Sequence, residues 1–60
     1  MNAAKKLLIV EDDADFAAAL ARAMQKRGCE VALARDADNA RAEAERFAPT
    51  HAVVDLKLPG

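Results

Sequence analysis

Acidic residues follow two apolar runs in the sequence. Glu11 to Asp13 come directly after a run that ends at Val10, and Asp55 comes directly after Val54. Carboxylates brought close together repel one another, and a hard cation with oxygen ligands relieves that repulsion. Mg²⁺ fits best, because it needs few protein oxygens, keeps several waters and accepts a phosphate oxygen. A carboxylate beside such an ion can attack a phosphoryl group and become an acyl phosphate.

Five predicted elements position these acids. The pattern of apolar residues and breakers predicts a strand over 6–10, a helix over 14–27, a strand over 30–34, a helix between Asp36 and Pro49, and a strand over 51–56. The order β-α-β-α-β predicts an α/β fold, half of a doubly wound parallel sheet with right-handed crossovers. If strands one and three are neighbours, their carboxyl ends meet in the cleft where the strand order reverses.

The first predicted helix has a stripe of apolar residues and recognisable ends. The stripe consists of Phe16, Leu20 and Met24, with Ala19 and Ala23 beside them. Asp13 or a neighbour can cap the start of this helix, and Asp36 can cap the second. Gly28 supplies a left-handed stop after the first helix.

Composition limits the possible functions. The formal net charge of −1 gives no global field for nucleic acid, so no direct nucleic-acid binding is expected. Apolar runs such as Leu7 to Val10 are far too short for a membrane span or signal peptide, so we expect a soluble, cytoplasmic protein without a membrane partner. Sixteen of the 60 residues are alanine, which leaves a thin core. The chain is therefore expected to be a piece of a domain or a subunit that needs a second chain.

Two motifs in the same order carry a family resemblance. The segments Leu8–Asp13 (LIVEDD) and Val53–Gly60 (VVDLKLPG), separated by the β-α-β-α pattern, resemble the first half of the receiver domain of two-component response regulators, a CheY-like domain. The turn Lys26–Gly28 and the segment Asp55–Leu58 further resemble the RegA/ActR subgroup. The resemblance extends from about Lys6 to the end of the chain, and it implies a flavodoxin-like sheet with strand order 2-1-3.

The resemblance implies a role for each acidic residue. Asp55 would accept the phosphoryl group from a sensor histidine kinase. Asp12 would bind Mg²⁺ directly, Glu11 would act in the acidic pocket through water, and the backbone carbonyl of Lys57 would complete the protein ligands together with Asp55. Asp13 is expected to cap the first helix rather than bind metal.

The resemblance also implies what lies beyond residue 60. A receiver domain has two further strands and three further helices, which carry a hydroxyl residue, a lysine and an aromatic switch residue. Residues 1–60 are therefore expected to form a truncated receiver domain without an effector domain. We expect a phospho-acceptor in signal transduction rather than an enzyme.

Other interpretations of the same residues stay open. Glu11 and Asp12 alone would equally fit a solvated cap of the first helix. The uncovered third strand could complete its sheet by pairing with a second copy, which would make the chain a homodimeric interaction module. A hydrolase like the aspartate-nucleophile phosphatases is disfavoured, because Lys57 stands where such enzymes place a second aspartate. His51 lies at the opposite end of the third strand from Asp55, where a structural or solvent-facing role is expected.

Overall fold

The computed structural model describes residues 5–55. Its elements are β1 (Lys6–Glu11), α1 (Ala14–Lys26), β2 (Glu30–Ala34), α2 (Ala37–Phe47) and β3 (His51–Asp55). The three strands form a parallel sheet in the order β2-β1-β3, which confirms the predicted fold class and topology. Neither helix in this described range is long and apolar enough to cross a membrane.

β1 is the central strand and carries most of the core. Leu7 and Ile9 pack on the α1 side, whereas Leu8 and Val10 pack against the α2 side of the sheet. Successive side chains of a strand point to opposite faces, so a continuous apolar run is required where both faces are covered. Ile9 is completely inaccessible to solvent.

The buried face of α1 differs from the predicted stripe. Ala17 and Ala21 are its buried residues, and Leu20 packs at the margin of the core. Phe16 is 50% exposed, and Ala19 is exposed. The prediction weighted large apolar residues, but small alanines allow the helix backbone to approach the sheet closely. Leu20 and Met24 of the predicted stripe thus pack against the core, whereas Phe16 does not.

The predicted helix caps are confirmed. The Asp13 Oδ1 accepts a hydrogen bond from the backbone N–H of Phe16 at 3.1 Å. The Asp36 Oδ1 accepts one from the backbone N–H of Asn39 at 2.8 Å. Gly28 follows α1 with a φ of 91°. Glycine adopts this backbone conformation readily because it has no Cβ, whereas other residues disfavour it. Each carboxylate therefore satisfies an N–H that the first helical turn leaves unpaired.

α2 ends in an unusual backbone conformation. Its last residue is Phe47, and the C-cap Ala48 adopts left-handed angles with φ 51° and ψ 62°. The ring of Pro49 disfavours the right-handed helical region at the preceding residue, so the helix cannot continue through Ala48. The backbone N–H of Ala48 still donates to the carbonyl of Ala44 at 3.0 Å. The predicted helix end at Pro49 is confirmed to within a residue.

β3 lies outside the covered part of the sheet. Both helices pack on β1 and β2, and within residues 5–55 neither packs against β3. All five residues of β3 are exposed, including Val53 at 40% and Val54 at 65%. β3 is therefore attached to the described fold through its pairing with β1 alone.

Candidate functional site

The structure places two of the predicted site residues side by side. Glu11 ends β1 and Asp55 ends β3, and the two residues are partners in the register of the parallel pair. Partner residues of paired strands point to the same face of the sheet. The two carboxyl groups therefore lie next to each other at the carboxyl edge, as the topology predicted.

Glu11 is the buried member of this pair. It is 3% exposed and is the sole buried charged residue in the described range. Its Oε1 accepts a hydrogen bond from the backbone N–H of Asp13 at 3.1 Å, whereas its Oε2 has no partner among residues 5–55. Buried polar atoms without a partner are rare, and an ion or water often accounts for them.

Burial and charge act together on the Glu11 carboxyl. Loss of water around it raises its pKa above the ordinary value, and the negative charge of Asp55 and the neighbouring Asp12 raise that pKa further. The hydrogen bond from the Asp13 N–H lowers the pKa of Glu11, but it does not reverse the rise. A proton or a cation bound at this position would relieve the repulsion between the carboxylates.

Asp12 and Asp13 occupy the short connection between β1 and α1. Asp12 is exposed and follows Glu11 directly, so it lies at the same edge of the sheet. Asp13 is engaged as the N-cap of α1, as described above, which agrees with the prediction that it is a capping residue. Asp55 is also exposed, so its carboxylate is accessible to a reactant.

The residues present can be compared with the needs of Mg²⁺. Within residues 5–55 no three His, Cys, Asp or Glu side chains form a group arranged to hold a metal ion. Lys57, predicted to contribute its carbonyl, lies outside the described residues. Mg²⁺ is commonly bound through one or two carboxylates and several waters. The Glu11–Asp55 pair, with Asp12 beside it and a buried oxygen without a partner, fits such an ion.

A second feature at this edge was missed by the sequence analysis. A cleft of about 240 Å³ opens at the carboxyl ends of β1 and β2, between α1 and α2. Glu11 lines it together with Leu33 from the end of β2, Arg35 directly after that strand, and Asn39 from α2. The sequence signal for this cleft is that β2 ends at the same edge of the sheet as β1 and β3.

Comparisons with known proteins were made for the whole chain. No family model matches it, and no solved structure matches it significantly. A parallel sheet in the order β2-β1-β3, with paired acids at its carboxyl edge, is consistent with half of a flavodoxin-like fold.

Three curated relatives refine this class. The chain is 48% identical over 54 residues to the acid tolerance regulatory protein ActR of Sinorhizobium medicae, which covers 90% of the chain and 28% of that relative. It is 43% identical over 54 residues to the photosynthetic apparatus regulatory protein RegA of Rhodobacter capsulatus. This match covers 90% of the chain and 29% of that relative. It is 41% identical over 58 residues to RegA of Cereibacter sphaeroides. This match covers 97% of the chain and 32% of that relative.

These relatives are response regulators, so the predicted resemblance is confirmed. The similarity over about nine tenths of the chain supports its interpretation as a receiver-domain fragment of the RegA/ActR subgroup. It spans less than a third of the length of the relatives it matches.

Proposed function

We propose that the chain is a two-component phospho-acceptor, in which Asp55 receives a phosphoryl group from a sensor histidine kinase in a Mg²⁺-dependent reaction. The observation that carries the proposal is the pairing of buried Glu11 with exposed Asp55 at the carboxyl edge of the sheet. Similarity to the response regulators ActR and RegA supports it. The proposal also includes three further points. The chain is cytoplasmic, it is an acceptor rather than an enzyme, and it does not bind nucleic acid directly.

The metal would be held by Asp12 and Asp55, with Glu11 acting through water and the Lys57 carbonyl as a further ligand. When bound, Mg²⁺ would neutralise charge on the phosphoryl oxygens. The chain's own residues supply the rest. Glu11 is the register partner of Asp55, and its Oε1 accepts a hydrogen bond from the Asp13 N–H, which holds the buried carboxyl beside the nucleophile.

Asp55 provides the nucleophile. One of its carboxylate oxygens attacks the phosphorus of a phosphohistidine, an O–P bond forms, and the P–N bond breaks with its electron pair remaining on the imidazole nitrogen. The imidazole takes a proton from solvent, and Asp55 becomes an acyl phosphate. Because β3 is exposed throughout, a protein donor can approach the Asp55 carboxylate directly.

Mg²⁺ titration followed by calorimetry tests the metal part of this proposal. We expect Asp12→Asn and Asp55→Asn each to weaken Mg²⁺ binding by about tenfold or more, since residues that merely support a metal ligand already contribute about that much. Glu30→Gln is the matched control. It removes one negative charge at the start of β2, at the opposite edge of the sheet, and should leave the affinity unchanged. Equal affinities in all four proteins would refute the assignment of the pocket.

A second candidate function rests on the exposure of β3. We propose, as the alternative, that the chain self-associates through β3 into a homodimeric interaction module without phosphorylation. Exposed apolar edge strands are templates for pairing, and Val53 and Val54 are exposed on the two faces of such a strand. Antiparallel pairing of two β3 strands is compatible with a two-fold axis and gives the order 2-1-3-3′-1′-2′.

Sedimentation at increasing concentration tests this alternative. Val53→Lys should shift the chain toward monomer, because two like charges would meet across the two-fold axis. Leu33→Lys, which changes a residue of similar exposure (44% against 40%) on the other edge strand, should leave the dimer intact. A folded monomer at all concentrations would eliminate the homodimer.

A further inference from the structure

The charged residues are divided between the two ends of the strands, although the formal net charge is only −1. Both helices begin at the carboxyl edge of the sheet and end at its amino edge, because each returns the chain to the start of a parallel strand. Seven of the ten acidic residues lie at the carboxyl edge: Glu11, Asp12, Asp13, Asp15, Asp36, Asp38 and Asp55. We call this the acidic edge. Within residues 5–55 its one cation is Arg35.

The amino edge has the opposite charge, and we call it the basic edge. Its cations are Lys5, Lys6, Lys26, Arg27 and Arg46. The Glu30 N–H donates to the Lys5 carbonyl at 2.8 Å, which brings the chain segments before β1 and β2 together at this edge. The acids nearby are Glu30 and, from the last turns of α2, Glu43 and Glu45. The cations therefore outnumber the acids at this edge.

Most of these cations are available to a partner. The pair between Arg46 and Glu43 is the sole salt bridge within residues 5–55. The Lys6 Nζ lies over the ring of Phe47, 4.7 Å from its centre. The other three, Lys5, Lys26 and Arg27, are exposed and unpaired in this range.

We propose that the basic edge binds the acidic edge of a second copy of this chain, in a head-to-tail contact. The occupant is indicated by charge complementarity, because each copy carries an excess of cations at one edge and an excess of carboxylates at the other. The cations of the second copy would relieve the repulsion among the crowded carboxylates. The contact does not depend on phosphorylation or on Mg²⁺.

This contact differs in kind from pairing through β3. A head-to-tail interface leaves one edge of each copy open, so the average mass should keep rising above that of a dimer as concentration increases. Salt should also dissolve it, because the screening length falls from about 30 Å at 0.01 M to about 3 Å at 1 M. Pairing through β3 is two-fold symmetric and apolar, so it would stop at a dimer and persist at 1 M salt.

Sedimentation equilibrium of the full 60-residue chain, with chelator and at about 0.01 M salt, tests the contact. Lys5→Glu together with Arg27→Glu should weaken association about tenfold, because an exposed charge pair contributes a factor of about 1.5–5 and reversal adds repulsion. Arg22→Glu together with Arg41→Glu is the matched control. It changes the net charge by the same amount at exposed positions inside the helices, and should weaken association less than about twofold.

A second double variant changes the acidic edge and separates the contact from overall repulsion. Asp15 and Asp38 are exposed in the first turns of α1 and α2, whereas Asp13 and Asp36 make the capping hydrogen bonds. Asp15→Asn together with Asp38→Asn removes negative charge from the chain, yet should weaken association about threefold or more. Overall repulsion between copies would predict the opposite change. Circular dichroism checks that each variant is folded.

A spin label tests the orientation of the two copies. Cys29 is the one cysteine of the chain and lies at the basic edge, directly before β2. A nitroxide on Cys29 of an isotopically unlabelled copy broadens amide signals only in the ¹⁵N-labelled copies that approach it. We expect broadening in the first turns of α1 and α2 at about 0.01 M salt, and none at 1 M.

Several results would overturn the head-to-tail contact. They are equal association of the basic-edge variant and its matched control, stronger association of the Asp15 and Asp38 variant, and broadening confined to the basic edge. A chain that stays monomeric at about 0.01 M salt but binds polyglutamate would assign the basic edge to an acidic protein partner instead. Since no Mg²⁺ or phosphodonor is present, such a failure would leave the phospho-acceptor proposal untouched.

Discussion

The two edge strands of the sheet are in opposite environments although both pair with β1. β2 lies under both helices, and its Ala32 and Ala34 are buried. β3 pairs with the most buried residues of the molecule, yet each of its own side chains is exposed. Pairing with a neighbouring strand therefore does not by itself bury the side chains of a strand. Helices packed against the sheet do so. The acidic pair Glu11–Asp55 lies across this boundary, with one carboxyl in the covered half and one at the open strand.

The sharpest test of this contrast compares two residues that are partners in register. Ile9→Ala should lower the free energy of unfolding by about 2–5 kcal/mol, because it leaves a cavity in a fully buried position. Val53→Ala, in the partner position on β3, should cost less than about 1 kcal/mol, because Val53 is already 40% exposed. Urea denaturation measures both values.

Similar costs for the two substitutions would show that β3 is covered in solution. Should Ile9→Ala leave too little folded protein to measure, Ile9→Val provides a gentler comparison, with an expected loss of about 0.5–1.5 kcal/mol.

The acidic pair tests the same boundary through pH. The pKa of Glu11 in the folded chain is raised above 4.5, so the folded state holds its proton more strongly than the unfolded state. The contribution of Glu11 to stability is therefore most favourable below about pH 4.5 and is lost as the pH rises through the raised pKa. We expect Glu11→Gln to gain stability relative to the parent chain over that interval, measured without Mg²⁺.

Substitutions at Asp55 and Glu30 test what raises the pKa of Glu11. Asp55→Asn removes the negative charge opposite Glu11 and should move this loss of stability to lower pH, because one cause of the raised pKa is gone. Glu30→Gln should follow the parent chain throughout. A parent chain and Glu11→Gln whose stabilities stay parallel from pH 4 to 8 would show that Glu11 is solvated like the exposed acids.

The smallest expected change in stability comes from Ala48, in the connection between α2 and β3. Ala48 has a left-handed backbone, which costs about 1–2 kcal/mol in a residue with a Cβ. Ala48→Gly removes that cost, and the greater freedom of glycine in the unfolded chain offsets about 0.5–1 kcal/mol of the gain. A net stabilisation of about 0.5 kcal/mol is expected in thermal denaturation. Destabilisation by Ala48→Gly would mean that the connection adopts another conformation in solution.

Much of this architecture could be predicted from the sequence, because local signals and topology agreed. The apolar run of β1, the caps Asp13 and Asp36, and the breaker Pro49 each act within a few residues of the feature they determine. The alternation of strands and helices then required parallel strands, and parallel strands required the acids to share an edge. The adjacency of Glu11 and Asp55 requires in addition that β3 lies beside β1, which the family resemblance implied and the structure shows.

Other features depend on how the elements pack, which periodicity alone does not determine. The burial of Ala17 and Ala21 in place of the larger Phe16 depends on how closely α1 approaches the sheet. The near-complete burial of Glu11 depends on the helices that cover β1. The cleft beside Leu33 arises from the spacing of two helices, and no motif in the sequence specifies that distance.

Phosphorylation of the chain by acetyl phosphate, followed by intact mass measurement, tests the central claim most directly. The account predicts the addition of one phosphoryl group in the presence of Mg²⁺, its loss when Mg²⁺ is chelated, and none in Asp55→Asn. Glu30→Gln should be modified like the parent chain. Equal modification of Asp55→Asn and the parent chain, or no modification of a folded parent chain that binds Mg²⁺, would contradict the assignment of Asp55 as the phospho-acceptor.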